Sequence, residues 1–203
     1  MLKTILFDMG NVLVKFSHQR MCQQLASVCQ LEESTVRSRL FDSNVQADFE
    51  RGLIDEQEYC QYLTGRKIHP AGLSLLRTAG SDIFSLIEPM PAILDSLKEH
   101  GLRLVLLSNT SVWHYDWIRQ MSDVLERFDD VVASWQVGAM KPEPKIFQAA
   151  LEKIGCLPEE CFYTDDIPEY VATGRTFGLQ AEVFTGPEQL REHLAQRGVR
   201  LTE

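Results

Sequence analysis

The chain has 203 residues, of which 44% are hydrophobic and 24% charged, and its formal net charge is −9. This composition is typical of a globular protein with a sizeable core, and the negative charge argues against a nucleic-acid partner, because phosphate backbones attract basic surfaces. No apolar run approaches the roughly 20 residues that a membrane-spanning helix needs, so no membrane partner is expected.

The first predicted strand covers residues 4–8 and ends in the carboxylate of Asp8. Parallel α/β sheets bind their ligands at the carboxyl ends of the strands, which makes Asp8 a candidate site residue. A strand-end aspartate is also a common turn former, so Asp8 alone is not decisive. Gly10 follows two positions later, and its lack of a side chain predicts an uncrowded backbone carbonyl.

Residues 16–87 contain no strand-like run. Apolar residues recur at helical spacing in residues 19–31, and Asp55 is a suitable N-cap for a second helix. We therefore predict an all-helical cap, residues 16–87, inserted after the first strand. The remaining residues, 1–15 and 88–203, would form the core.

From residue 90 onward, helices alternate with short apolar strands. Proline begins and glycine ends four segments, as is usual for helices; these are residues 91–101, 144–155, 168–178 and 187–198. The predicted strands between them are residues 102–108, 131–135, 161–165 and 180–184. Because these strands are apolar on both faces, the sequence predicts an α/β fold with a doubly wound parallel sheet.

Polar residues stand where several of these strands end. Ser108 and Asn109 end the second strand, and Asp165-Asp166 end the fourth, while Lys141 lies in the loop before a helix. Each has an ordinary alternative as a helix cap or a surface lysine. Together they would meet at one edge of the sheet, where two adjacent carboxylates repel each other unless a cation lies between them.

This combination suits phosphoryl transfer. Asp8 would attack phosphorus to give an aspartyl-phosphate, which water then hydrolyses. Asp8, Asp166 and the carbonyl of Gly10 could hold Mg²⁺, which prefers oxygen ligands. Ser108 would grip the phosphoryl oxygens, and Lys141 would neutralise their charge. The prediction is therefore a Mg²⁺-dependent phosphatase.

Four stretches, "FDMGNVLV", "LLSNTS", "GAMKPEPKIF" and "FYTDDIPEYVATGRTFG", resemble the four motifs of the haloacid dehalogenase superfamily, in order. The resemblance implies a Rossmann-like core with a helical cap, and Asp8, Lys141 and Ser108 as catalytic residues. It also implies substrate binding by Ser108, Asn109 and Lys141, and Mg²⁺ held by Asp8, Gly10 and Asp166, with Asp165 as a support or a further ligand. The "DxGNV" form resembles the branch of bacterial sugar-1-phosphate phosphatases and the phosphatase domain of soluble epoxide hydrolases, which implies a small phosphorylated substrate such as a sugar phosphate.

Gly10 departs from most phosphatases of that family, which have an aspartate there as general acid. Without it, we expect good leaving groups to be favoured, unless another residue, with His18 and His114 first in line, supplies the proton. Two alternatives stay open. A 2-haloacid dehalogenase needs no metal and has no use for paired carboxylates near an anionic substrate, and a non-catalytic protein that binds a phosphorylated ligand or protein partner would fit the loss of the acid.

Substrate specificity should come from the cap and from the segment after residue 110. For the aromatic members of this set, packing is the commoner role, and Arg51 could pair either with an anionic substrate or with a glutamate. The candidates are Phe16, His18, Phe41, Glu50, Arg51, Trp113, His114 and Trp117.

Five cysteines without a CxxC pair argue against a complete disulfide framework. The stretch before Asp8 is too short for a signal peptide. We therefore expect reduced thiols, a cytoplasmic location, and a monomer or homodimer.

Overall fold

The computed structural model describes residues 1–66 and 69–201. The strands are β1 Thr4–Phe7, β2 Val14–Phe16, β3 Phe84–Leu86, β4 Arg103–Ser108, β5 Asp130–Ala133, β6 Cys161–Asp165 and β7 Gln180–Val183. The α-helices are α1 His18–Cys29, α2 Glu33–Arg37, α3 Val45–Glu50, α4 Glu56–Thr64, α5 Pro70–Ser81, α6 Pro89–Glu99, α7 Val112–Met121, α8 Ser134–Val137, α9 Pro144–Lys153, α10 Pro168–Thr176 and α11 Pro187–Gln196. A π-helical turn covers Ser38–Asp42, and 3₁₀ turns cover Asp123–Arg127 and Pro158–Glu160.

The core is a five-stranded sheet in the order β5-β4-β1-β6-β7, and every pair in it is parallel. In the central strand β1, Ile5 and Phe7 pack into the apolar layer on one face, and Leu6 packs into the layer on the other. Helices cover both layers, which is why these strands read as apolar runs without alternation. The prediction of a doubly wound parallel sheet is confirmed.

Most predicted elements differ from the observed ones by one or two residues at an end. The strand predicted at residues 131–135 ends at Ala133, because Ser134 begins α8 and its hydroxyl is used in contacts with the loop after β4. The helix predicted to start at Pro91 already starts at Pro89. The glycines predicted to end helices do adopt positive φ, for example Gly155 at 66° and Gly178 at 83°.

Helices α1–α5 lie between β2 and β3 and share an apolar cluster, which includes Leu25 and Tyr59 and is joined by Trp113 of α7. Asp55 caps α4 as predicted, with its side chain accepting from Glu58 N–H. The absence of strands predicted for residues 16–87 is wrong at β3, which pairs antiparallel with β2. Each of these strands has only three residues, so the pairing comes from the chain returning to the core and leaves no periodic signal.

None of the described helices is both long and apolar enough to cross a bilayer. All five cysteines are free thiols.

Candidate active site

A cavity of ≈ 200 Å³ opens at the carboxyl edge of the sheet, between the core and helices α1–α5. Asp8 follows β1 and continues its ladder, because its N–H donates to Thr164 O at 3.0 Å. The ends of β4 and β6 place their polar residues at the same edge. The sequence-predicted residues on the cavity wall are Asp8, Gly10, Ser108, Asn109, Lys141 and Asp166.

Lys141 lies at the centre of this group and is almost completely buried. Its Nζ donates to Asp8 Oδ1 at 2.8 Å and to Asp165 Oδ2 at 2.6 Å. A third bond goes to the carbonyl of Leu107 at 3.0 Å, so all three ammonium protons are used. Lys141 therefore links the strand-end aspartates of β1 and β6.

The backbone of Lys141 is fixed by the side chain of Asn109. Lys141 N–H donates to Asn109 Oδ1 at 2.7 Å, and Asn109 Nδ2 donates to Lys141 O at 3.0 Å. The ring of Tyr170 lies with its centroid 5.2 Å from Lys141 Nζ, a cation–π distance. Asn109 lines the cavity, but both ends of its amide are engaged in positioning the lysine.

Asp165 is completely buried, and both of its oxygens are occupied. Oδ2 accepts from Tyr163 Oη at 2.5 Å as well as from Lys141, and Oδ1 accepts from Ile167 N–H at 2.9 Å. A carboxylate with these donors is oriented by the protein and has little capacity left for another partner.

Asp166 is only partly buried, and its Oδ2 accepts from Asn11 Nδ2 at 2.9 Å. Carboxylate oxygens of Asp8, Asp165 and Asp166 lie within 4.8 Å of one another, so one ion could reach all three. This all-oxygen donor set fits Mg²⁺. Since Asp165 already accepts three hydrogen bonds, Asp8 and Asp166 are the carboxylates with more room to bind an ion directly.

A side chain at position 10 would have little room. A Cβ there would lie 3.0 Å from Cε1 of Phe16, the last residue of β2. Left-handed backbone geometry is found at the next residue, Asn11, with φ of 54°. The ring of Phe16 thus packs beside Gly10, and the availability of the Gly10 carbonyl to a metal stays a prediction.

Ser108 is the last residue of β4 and is 2% exposed. The "SNTS" stretch also acts as a helix cap, since Ser111 Oγ accepts from His114 N–H at 3.3 Å at the start of α7. The helix-cap interpretation is therefore confirmed at Ser111, and the phosphate-binding role of Ser108 stays a prediction.

Four of the eight specificity candidates line the cavity: Phe16, His18, Glu50 and His114. Phe41 lies behind His18, with ring centroids 5.0 Å apart. Trp113 packs edge-on against Phe49 in the cluster of α1–α5, and Trp117 lines a separate surface depression. Arg51 pairs with Glu143, whose Oε1 lies 2.5 Å from Arg51 Nη2.

Burial shifts the titration of several of these side chains. Burial raises the pKa of Asp8 to about 7, with Lys141 opposing the shift, and raises the pKa of Glu50 to about 7. The pKa of Lys141 is raised because the attraction of Asp8 and Asp165 outweighs the effect of burial. For His114, burial lowers the pKa to about 4.

Sequence reasoning missed Asn11, Tyr163 and Tyr170. Asn11 carried one usable signal, because asparagine is enriched in left-handed turns. The tyrosines carried none, since an apolar strand and an amphipathic helix both use tyrosine for packing.

A buried lysine between strand-end aspartates defines an enzyme site built around a carboxylate. A sequence model described as haloacid dehalogenase-like hydrolase matches residues 2–178, and the chain belongs to this family of hydrolases.

Individual relatives are distant. The chain is 24% identical over 160 residues to flavin mononucleotide hydrolase 1 of Arabidopsis thaliana. The match covers 78% of this chain and 64% of the relative, so it spans slightly less than two thirds of the relative's length. It is 21% identical over 188 residues to D-ribitol-5-phosphate phosphatase of Bacteroides thetaiotaomicron, covering 89% and 90%. A family enzyme from Bacteroides thetaiotaomicron, solved with magnesium and inorganic phosphate, superposes with a TM-score of 0.78 at 22% identity, covering 90% of this chain and 94% of that one.

Proposed function

We propose that the protein is a Mg²⁺-dependent phosphatase that hydrolyses a small phosphorylated metabolite, such as a sugar phosphate, through an aspartyl-phosphate on Asp8. The observation that carries the proposal is the placement of Asp8, Lys141 and Asp166 in one cavity, with carboxylates close enough to share an ion. Named phosphatases among the relatives support the reaction class. The cavity volume of ≈ 200 Å³ favours a small substrate or a small part of one.

Asp8, the carbonyl of Gly10 and Asp166 would hold the metal, and Asp165 would orient Lys141. When bound, Mg²⁺ supplies positive charge that offsets the phosphoryl oxygens and fixes their orientation. Lys141 contributes a second positive charge beside Asp8, which opposes the rise in the pKa of this buried carboxyl and reduces its repulsion of the incoming phosphoryl group.

In the first step, an Asp8 oxygen attacks phosphorus and the leaving group departs. In the second, water attacks the aspartyl-phosphate and Asp8 returns as a carboxylate. Ser108 and Lys141 would contact the phosphoryl oxygens in both steps, since both lie on the cavity wall, and Lys141 would exchange one of its three hydrogen bonds for this contact. Burial of these groups limits competing solvent, which strengthens their interactions with the charge that develops.

The first experiment is phosphate release from an aryl phosphate with Mg²⁺ and with EDTA, followed by a screen of phosphorylated metabolites. Activity should require Mg²⁺ and be absent in Asp8→Asn, which keeps the shape of the side chain. Beryllium fluoride with Mg²⁺, a mimic of a phosphorylated carboxylate, should raise the Tm of wild type but not of Asp8→Asn.

Chloride release from a 2-haloacid in EDTA would instead identify a dehalogenase. Ligand-induced Tm shifts with phosphorylated compounds, without turnover of any of them, would identify a non-catalytic binder.

A further inference from the structure

The cavity wall includes one carboxyl from the inserted helices to which the mechanism gives no role, that of Glu50. Glu50 is the last residue of α3 and stands on the cap side of the cavity, while Asp8 belongs to the core side. In a displacement at phosphorus, the leaving group departs opposite the nucleophile. Glu50 lines the cavity from α3 and not from the strand ends that carry Asp8, which makes it a candidate to meet the leaving oxygen.

The backbone around Glu50 is docked on the core segment that precedes and follows Lys141. Glu50 O accepts from Ser134 Oγ at 2.5 Å, and Arg51 pairs with Glu143. Gly52 has φ of 70°, and a Cβ there would lie only 2.4 Å from Trp135 O. Three consecutive residues thus contact the core, which fixes the position of Glu50 relative to Lys141.

The side chain of Glu50 is oriented by a buried chain of hydrogen bonds. Gln46 Nε2 donates to Glu50 Oε1 at 2.7 Å, and Tyr59 Oη donates to Gln46 Oε1 at 2.8 Å. Within residues 1–66 and 69–201, no hydrogen bond engages Glu50 Oε2. One carboxyl oxygen is therefore held, and the other is available to a bound molecule.

The electrostatic environment favours a protonated Glu50. Burial raises its pKa to about 7, although the hydrogen bond from Gln46 opposes the shift. A phosphorylated substrate would add negative charge and favour the acid form further. The other titratable residues on the cavity wall are Asp8, His18, His114, Lys141, Asp166 and Tyr170.

The two histidines are poor proton donors by comparison. Burial lowers the pKa of His18 and of His114, so both are neutral near pH 7. His114 Nε2 lies 3.2 Å from Gly80 O, and its N–H is used in that contact. Position 10 offers no acid, because it is a glycine.

We propose that Glu50 is the general acid and base of the reaction, an inference that rests on the proposed phosphatase function. As an Asp8 oxygen bonds to phosphorus, the bond from phosphorus to the leaving oxygen breaks, and that oxygen takes the proton of the Glu50 carboxyl. The Glu50 carboxylate then takes a proton from the water that attacks the aspartyl-phosphate. The bond from phosphorus to Asp8 breaks, and inorganic phosphate leaves with both carboxyl groups restored.

The test compares Glu50→Gln with wild type on a poor leaving group, glycerol phosphate, and a good one, 2,4-dinitrophenyl phosphate. We expect kcat/KM to fall about 100-fold or more on the alkyl ester, in the range usual for general acids, and less than about 10-fold on the aryl ester. The steep dependence of rate on the leaving group, which the glycine at position 10 predicts, is therefore expected for Glu50→Gln and not for wild type. Asp48→Asn, which removes a carboxylate from the same helix, should match wild type.

Equal losses on both esters, or no loss on either, would overturn the proposal. A wild type inactive on every ester overturns the phosphatase function itself, which separates the two failures. Gln46→Met provides a second test with Glu50 intact. The hydrogen bond from Gln46 lowers the pKa of Glu50, so its loss should raise that pKa. The decrease of kcat/KM at high pH should then occur at a higher pH than in wild type, and an unchanged pH profile would contradict a role for Glu50.

Discussion

The side chain of Asn109 holds both ends of the Lys141 backbone, accepting from its N–H at 2.7 Å and donating to its carbonyl at 3.0 Å. The amide of Asn109 thus connects the end of β4 to the loop that carries Lys141. The position of the Lys141 ammonium thus depends on Asn109, although the sequence around Asn109 indicates only a turn or a helix cap.

Asn109→Ala should lower both stability and activity. The N–H and the carbonyl of Lys141 both lose their partner, and these hydrogen bonds are part-buried, a setting in which each contributes a net of about 0.5–1.5 kcal/mol. We expect the free energy of unfolding in urea to fall by about 1–3 kcal/mol and kcat to fall more than KM rises. Asn109→Asp, which keeps one acceptor, should recover part of the stability; equal effects of both substitutions would contradict a role in holding the lysine backbone.

Lys141→Met should be strongly destabilising, because it leaves Asp8 and Asp165 as buried, uncompensated carboxylates. Removing one partner of a buried ion pair costs about 3–5 kcal/mol. The loss should shrink at low pH, where the carboxyls are protonated, and the double variant with Asp165→Asn should recover part of it. Urea unfolding across a pH series measures both effects. A loss independent of pH would contradict the electrostatic explanation.

Asp166→Asn and Asp165→Asn should separate metal binding from structure. Asp166 has an open oxygen, so its substitution should abolish the Tm increase that Mg²⁺ gives, with little change in the Tm without metal. Asp165 accepts from Lys141, Tyr163 and Ile167, so its substitution should lower the metal-free Tm. Ca²⁺ should inhibit wild type, since it prefers looser coordination. If Mg²⁺ still raises the Tm of Asp166→Asn, the direct metal ligand is Asp165 and not Asp166.

Glu50 should make stability depend on pH in a known direction. Its pKa is about 7 in the folded state against 4.5 ordinarily, so the folded state binds more protons between these values. The contribution of Glu50 to the free energy of unfolding therefore falls as pH rises through this window. The free energy of unfolding of Glu50→Gln should therefore rise relative to that of wild type, by about 1–3 kcal/mol from about pH 5 to about pH 8. Asp48→Asn, which removes a carboxylate from the same helix, is the control.

The sequence predicted the parallel sheet, its helices and the strand ends that meet at the cavity, because these follow from local patterns and from one rule of α/β topology. It could not predict which side chains of that set contact each other. The bond between Tyr163 and Asp165 depends on side-chain orientation. For Arg51, the sequence left a substrate and a glutamate as alternatives, and only the fold shows that the partner is Glu143. The strands β2 and β3 were missed for the same reason. The division of the chain into core and cap stays a prediction, as do the roles of the individual site residues.

The contact between Gly10 and Phe16 has a consequence for protein engineering. Gly10 belongs to the loop that carries Asp8, whereas Phe16 stands at the entrance to the inserted helices. A chimaera that exchanges only the insertion for that of a relative would replace the ring above Gly10, leaving either a hole or a collision beside the nucleophile. The insertion and the nucleophile loop are therefore not interchangeable modules, and a successful graft must carry residues 8–16 together with the helices that follow.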